Sequence, residues 1–290
     1  MRSLARFAFV NVVLLGSCAS WSHAQKPETT TVIGPRPVRE VILKWEKQYG
    51  WVITYEDPRF EYAKDLEDVT DKVRRDLKPG EPIDPNKRII GAREQQLSVS
   101  YTAPKIPNDT VARFQAANRL VDAFAQIAGN TFSIQQSDTR VHILPALVKD
   151  ASGQLQPSRP ILDTVISLAA RDRNGIEFLR AVCDALTGAT GHTILVGTIP
   201  INSMAQFRTS VGYENLPARQ VLEEFLDKMP NGDRYTWALL FQKDYALNIR
   251  WVKALDQPTE AHPKVSSPPS RSKFVEEHSA DGTKTVYIAR

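Results

Sequence analysis

Ala189-Thr190-Gly191-His192-Thr193-Ile194 carries an amphipathic helical pattern through a glycine and directly into a β-strand pattern. The same change of pattern occurs at Gln48-Tyr49-Gly50-Trp51-Val52-Ile53, Ile127-Ala128-Gly129-Asn130-Thr131-Phe132 and Pro230-Asn231-Gly232-Asp233-Arg234-Tyr235. Glycine suits the position after a helix because it enters the left-handed backbone region without a Cβ clash. Each junction therefore predicts a helix that turns back along a sheet, and the four together predict a repeated scaffold of helices and strands.

Residues 1–24 have the three parts of a bacterial signal peptide. Arg2 and Arg6 make the first part positive, residues 7–15 are apolar apart from Asn11, and Ser22-His23-Ala24 is a small-x-small cleavage site. The apolar run is too short to cross a bilayer, which takes about 20 residues. We therefore expect an exported chain, periplasmic or secreted, that begins at Gln25 after cleavage.

The cysteines leave one alternative for the compartment. Leu15-Gly16-Ser17-Cys18 resembles a bacterial lipoprotein box, so lipidation at Cys18 would anchor the chain to a membrane. Cys183 is the only other cysteine, which excludes an intramolecular disulfide once the signal is removed.

The formal net charge is +4, and Arg2 and Arg6 supply two of these charges. A nearly balanced processed chain is not typical of nucleic-acid-binding proteins, so no nucleic-acid partner is expected.

Residues 31–149 are predicted to form a first βαβ-type module that contains a long polar excursion at residues 56–94. The first helix follows Pro37 and carries Trp45 and Tyr49 on its apolar face. The second helix is capped by Asp109. In chain order the other predicted elements are strands near 31–33, at 51–55, 96–101, 131–135 and 140–144, with one short helix near 71–77 in the excursion.

Residues 161–254 repeat this plan as a second module, after a polar, linker-like stretch at 150–160. Asn174 and Glu177 form a capping-box pattern at the start of one helix. The next helix follows Pro217, with Val221, Leu222, Phe225, Leu226 and Met229 inward and Arg219 outward. Strands are predicted at 162–168, 193–196, 206–213, 235–241 and 246–252. The fold class is therefore α+β, with two tandem modules of βαβ plus βαββ units whose helices pack on small mixed sheets.

Residues 255–290 form a proline- and serine-rich tail. Its last part is predicted to form a hairpin, because short apolar strand patterns at 274–276 and 285–288 flank Asp281-Gly282.

Residues 211–222, with 235–240 and 247–250, resemble the STN domain, the short N-terminal module of secretins and TonB-dependent transducers. The resemblance lies in Val211-Gly212-Tyr213-Glu214-Asn215-Leu216-Pro217, an apolar helix face and a closing hairpin. It extends over residues 161–252 and more loosely over 37–144. It implies a fold of two βαβ units and a periplasmic or extracellular interaction module without a cofactor.

No motif in the sequence has the strength of a catalytic or metal signature. The excursion gathers Glu56, Asp57, Glu61, Asp65 and other acids, which suits calcium in oxygen content but not in spacing, so a solvated acidic loop is favoured. The histidines lack zinc-like spacing, and Cys183 lies on an apolar helix face. We expect neither a bound metal nor a cofactor.

Aromatic residues provide the candidate binding site. Trp51 and Tyr55 are four residues apart in a predicted strand and so point the same way, and Phe60 and Tyr62 lie in the polar excursion. Exposed aromatic residues in a polar setting are typical of binding surfaces.

The expected function is a non-enzymatic binding or assembly module of the cell envelope. It would dock a protein or peptide partner through a sheet edge or through the aromatic surface of the first module. The alternative is a secreted hydrolase or small-ligand binder whose site lies under the 56–94 excursion, which is long enough to act as a lid. Converging carboxylates beneath the excursion would favour the alternative.

Overall fold

The computed structural model describes residues 27–73, 88–106, 108–129 and 131–255, and the backbone of residues 274–278 and 284–288. The predicted signal peptide, the box at Cys18, residues 74–87 of the excursion and residues 256–273 of the tail lie outside the described residues. Among the described residues, no helix is both long enough and apolar enough to cross a membrane.

The strands are β1 (Pro27–Gly34), β2 (Ile53–Glu56), β3 (Leu66–Asp68), β4 (Ile90–Ala92), β5 (Gln95–Thr102), β6 (Phe132–Gln136), β7 (Val141–Pro145), β8 (Leu147–Lys149), β9 (Leu155–Pro157), β10 (Val165–Leu168), β11 (Arg173–Asn174), β12 (Ile194–Val196), β13 (Arg208–Thr209), β14 (Tyr213–Pro217), β15 (Tyr235–Phe241), β16 (Tyr245–Trp251), β17 (Phe274–His278) and β18 (Lys284–Ile288). The helices are α1 (Pro37–Tyr49), α2 (Thr70–Val73), α3 (Thr110–Ala128), α4 (Gly175–Thr190), α5 (Ile201–Gln206) and α6 (Ala218–Asp227). This mixture confirms the predicted α+β class.

One six-stranded sheet runs through both halves of the chain in the order β12-β16-β15-β2-β7-β6. The first half contributes β2, β7 and β6, and the second half contributes β12, β16 and β15. Each half also has a two-stranded antiparallel sheet, β1 with β5 and β10 with β14. Two apolar clusters fill the spaces between sheets and helices. One is drawn from residues 32–143 with Ala238, and the other from residues 162–249.

Local sequence accounts for the ends of the main helices. Gly50 and Gly191 adopt left-handed backbone at the ends of α1 and α4, as the junction pattern predicts. The Asp109 carboxylate accepts a hydrogen bond from the Ala112 N–H at the start of α3. Asn174 and Glu177 form the complete capping box of α4. Of these positions, Gly50 and Gly191 end helices that are followed by the strands β2 and β12.

Buried polar contacts join the two halves where β2 lies beside β15. The Arg219 guanidinium is 2.5 Å from the Glu56 carboxylate and 2.8 Å from Asp163. Arg140 donates to the carbonyl oxygens of Tyr235 and Gly232, at 3.0 and 2.7 Å. Arg219 is 6 % exposed, so its predicted outward position is wrong. Arg219 was predicted to face outward because it is charged. In the structure it is buried because the Glu56 carboxylate of the first half pairs with it.

Several predicted boundaries also differ from the structure. The stretch 150–160 is not an open linker, because β8 and β9 pair around a turn at Asp150. The predicted strand at 206–213 is divided into the end of α5, the short strand β13 and a loop before β14. At the fourth junction Asn231, rather than Gly232, has the left-handed backbone. The division into two modules that fold separately stays a prediction.

The tail hairpin is present in the backbone as β17 and β18, with Phe274 opposite Ile288.

Candidate functional site

The candidate site is an apolar cleft in the first half, where the chain leaves the central sheet after β2. The Asp57 N–H makes the last sheet-like hydrogen bond, to the Leu239 carbonyl oxygen at 2.8 Å. Pro58 has no N–H and cannot continue the pairing. The chain therefore leaves the sheet, and residues 59–62 lead into a short 3₁₀ turn at Ala63–Asp65.

Three of the four predicted binding residues meet in this cleft. Tyr55, Phe60 and Tyr62 line it together with side chains from α1, α3, β6 and β8. The remaining apolar lining residues are Pro35, Pro37, Val38, Pro58, Ala92, Phe124, Ala128, Phe132, Leu147 and Val148. Water can occupy about 50 Å³ of the cleft. That is room for a few water molecules, so the cleft suits one inserted side chain better than a large substrate.

The floor of the cleft is a group of packed aromatic rings. The Tyr55 and Phe132 ring centroids are 5.6 Å apart, and those of Phe132 and Phe124 are 5.5 Å apart. Tyr55 is 3 % exposed, and burial followed by the nearby Asp57 charge raises its pKa well above the usual value. Tyr55 is thus a buried, neutral phenol that forms part of the floor.

The rim is formed by the half-buried rings of Phe60 and Tyr62. The Lys149 ammonium lies 5.6 Å from the centroid of the Tyr62 ring. The same ring packs on the backbone of Gly153, where an added Cβ would stand 2.8 Å from the ring. The hairpin of β8 and β9 therefore holds Tyr62 in place from outside the excursion.

Trp51 does not belong to the cleft, and its predicted role in binding is corrected. It precedes β2, so strand alternation does not set its direction. Its side chain is 0 % exposed and packs against Trp45, with ring centroids 5.5 Å apart. Tyr49 and Tyr101 complete this second aromatic group, and their hydroxyl oxygens are 2.9 Å apart. Trp51 is a core residue.

The carboxylates around the cleft are paired with cations. Asp57 is 2.6 Å from Arg36, Glu61 is 2.9 Å from Arg59, and Asp65 is 2.9 Å from Lys149. Burial raises the pKa of Asp57, although Arg36 favours its charged form. Within the described residues, no three histidine, cysteine or acidic side chains come together as a metal site.

Three polar groups of the cleft have unused hydrogen-bonding or charge capacity within the described part of the chain. The Thr131 hydroxyl and the Gln95 side-chain oxygen are buried without a hydrogen-bond partner. Arg93 is exposed at the rim, and its guanidinium has one long contact, 3.5 Å to the Leu66 carbonyl oxygen.

Several cleft residues were not predicted as site residues. Phe124 and Phe132 carry an ordinary core pattern in sequence, and Lys149 and Gly153 lie beside or within the stretch interpreted as a linker. The sequence has no local signal that these segments meet the excursion. The sequence signal for the site itself is the segment from Pro58 to Tyr62, because it places two aromatic residues shortly after a proline that ends a strand.

No protein-family model, curated protein or solved structure matches this chain. The resemblance to STN domains therefore stays an expectation from sequence.

Proposed function

We propose that the chain is a non-enzymatic, exported binding module of the bacterial cell envelope that docks a protein or peptide partner in the Tyr55–Phe60–Tyr62 cleft. The proposal depends on one observation: residues of a long polar excursion bring two half-buried aromatic rings to the rim of a narrow apolar cleft. Aromatic residues at a rim provide contact area with little loss of side-chain freedom.

The chemistry of the cleft defines the partner. The floor is apolar and small, so the partner inserts one aromatic or large aliphatic side chain. Arg93 has no carboxylate at ion-pair distance among the described residues, so we expect an acidic residue beside the inserted side chain. The unpaired Thr131 and Gln95 groups favour a segment that also offers backbone donors and acceptors.

The resemblance to STN domains supports the same proposal, because that family implies an interaction module in the periplasm or outside the cell. The hydrolase alternative needs carboxylates that converge on a substrate. Around this cleft Asp57, Glu61 and Asp65 are each held by a cation, an arrangement that favours structural roles for them.

Selection from a random-peptide display library tests the proposal. The processed chain should enrich peptides that have an aromatic or large aliphatic residue next to Asp or Glu. Phe60→Ala with Tyr62→Ala should abolish the enrichment, because both rim anchors are lost. Arg93→Gln should keep the apolar preference and lose the acidic one.

Trp251→Ala is the matched control, since Trp251 is an aromatic residue 47 % exposed in the second half. It should enrich the same peptides as the unaltered chain. The cleft is not a binding site if the Phe60/Tyr62 variant enriches the same sequences while it remains folded. A small decrease in melting temperature is expected for that variant, because both rings are half-buried.

A further inference from the structure

The central sheet consists of two three-stranded units with the same strand order and pairing. In the first half, β2 pairs in parallel with β7, and β7 pairs antiparallel with β6. In the second half, β12 pairs in parallel with β16, and β16 pairs antiparallel with β15. The Val141 N–H donates to Val52 at 3.4 Å, as the Tyr245 N–H donates to Thr193 at 3.0 Å. Strand β12 therefore corresponds to β2, and β6 corresponds to β15.

Within the sheet, the two units are joined by a single strand pairing. The outer strand β15 of the second unit adds in parallel to the first strand β2 of the first unit. Ala238 lies opposite Tyr55, and Leu239 lies opposite Glu56. The strands at the two ends of the sheet, β12 and β6, are the counterparts of β2 and β15. Each molecule thus carries, at opposite ends of its sheet, the two strand types that already pair once within it.

The edges at the two ends of the sheet are only partly protected. On β12 the Ile194 N–H is bonded to the Thr187 hydroxyl at 3.0 Å, and just beyond the strand the Thr198 N–H is bonded to the Asn248 side-chain oxygen at 2.9 Å, so Val196 is the position of β12 left for pairing. Natural proteins block edges with charged residues or proline, and neither is present in Ile194-Leu195-Val196 or in Phe132-Ser133-Ile134-Gln135-Gln136. Leu195 is 54 % exposed, whereas its counterpart Thr54 is 0 % exposed, with its hydroxyl 2.8 Å from His142 Nδ1 of β7. Strand β12 therefore carries an exposed apolar side chain next to its unpaired edge.

We propose that β6 of one copy of this chain adds in parallel to β12 of a second copy, which assembles the protein head to tail. The correspondence places Ser133 opposite Val196, as Ala238 lies opposite Tyr55 in the internal contact. Such a contact joins two different surfaces, so it leaves a free edge at each end and continues to a ring or a filament. Gly197 stands at the counterpart of Glu56, so the contact between copies lacks the Glu56–Arg219 ion pair. This assembly is independent of what the cleft binds.

Two proline variants test the proposal by blocking one edge each. Val196→Pro removes an outward N–H from β12. Gln136→Pro removes an outward N–H from β6. Gln136 corresponds to Phe241 of β15, whose N–H donates to the Asp57 carboxylate of the adjoining unit at 2.8 Å. Sedimentation of the processed chain should show association that increases with concentration. Each variant alone should be monomeric, because every contact needs one β6 and one β12.

An equimolar mixture of the two variants distinguishes this arrangement from other modes of association. The Val196→Pro chain keeps β6 and the Gln136→Pro chain keeps β12, so the mixture should form a dimer and nothing larger. A monomeric unaltered chain, a single variant that still associates, or a mixture that stays monomeric would each overturn the proposal. Circular dichroism and thermal unfolding confirm that the variants fold. If a proline variant does not fold, Leu195→Lys and Ser133→Lys replace the pair with the same expected pattern.

Discussion

The two halves of the molecule share an order of elements but use their aromatic residues differently. In the second half, the Phe178 and Phe225 rings stack with centroids 3.9 Å apart, and both are fully buried. In the first half, Phe60 and Tyr62 are held half-buried at the rim of a cleft. Core packing is thus common to both halves, and the candidate recognition surface belongs to the first half alone.

The connections after β2 and β12 explain this difference. In the second half, residues 197–212 lead to β14 through the short elements α5 and β13. In the first half, the longer connection at residues 57–94 includes β3, α2 and β4 before it reaches β5. The additional chain forms one side of the cleft. The two halves therefore differ in surface where one connection is longer than the other.

The largest expected effect concerns the ion pair that joins the halves. Arg219→Ala should lower the free energy of unfolding by about 3–5 kcal/mol, because it leaves the buried Glu56 carboxylate without its cation. Urea unfolding measures the loss. Glu56→Gln in the Arg219→Ala chain should restore part of the stability, since no buried charge then remains unpaired.

The matched control is Arg208→Ala, in the same half. Arg208 pairs with Asp172 at 2.5 Å, but both side chains are more than half exposed. Water compensates each charge when the partner is removed, so no measurable loss is expected. Equal losses for Arg219→Ala and Arg208→Ala would show that the contact between the halves does not stabilise the fold.

Local sequence patterns predicted the elements, but they could not predict how the halves join. Gly50, Gly191 and Asn174 act within a few residues of the helix ends that they determine, so their patterns are visible in sequence. The pairing of β2 with β15 depends on segments far apart in the chain, for which one sequence offers no signal. Arg219 illustrates the consequence, because a charge on a helix indicates exposure until its distant partner is known.

The candidate site could be predicted in part for the same reason. Phe60 and Tyr62 were identified because aromatic residues are unusual in a polar segment, and Tyr55 because strand alternation applies to it. The prediction that Trp51 takes part in binding was wrong because Trp51 lies between α1 and β2, where strand alternation does not apply. The other side of the cleft comes from α3, β6 and β8, whose approach is set by tertiary packing.

The next effect concerns Glu46, which links α1 of the first half to β16 of the second. Glu46 is 9 % exposed and its carboxylate lies 2.8 Å from Arg250. Burial raises the pKa of Glu46 to about 7, although Arg250 opposes the shift. The folded state then binds the proton more tightly than the unfolded state. The contribution of Glu46 to stability therefore falls as pH rises from about 4.5 to about 7 and is constant above that range.

Glu46→Gln should remove this dependence, with a difference of about 2–3 kcal/mol between pH 5 and pH 8. The quantity to measure is the difference between the urea unfolding free energies of the two chains at each pH. Taking this difference removes the pH dependence that both chains share. His142 is one source of it, because burial lowers the pKa of His142 and its contribution to stability therefore rises with pH. Glu214→Gln, at an exposed position, is the control. Parallel curves for the Glu46→Gln and unaltered chains would contradict the prediction.

The smallest expected effects on stability come from replacing one glycine in each half. Gly153 has a φ of +88° and touches the Tyr62 ring, so Gly153→Ala should cost at least about 1 kcal/mol and displace that ring from the cleft. Gly188 is exposed in α4 with no other atom within 4 Å of an added Cβ, so Gly188→Ala should stabilise the chain by about 0.5–1 kcal/mol. Urea unfolding gives both signs, and peptides enriched by the unaltered chain should bind more weakly to the Gly153→Ala chain alone. If Gly153→Ala leaves both stability and peptide binding unchanged, the β8–β9 hairpin does not position Tyr62, and the distinct surface of the first half depends on the excursion by itself.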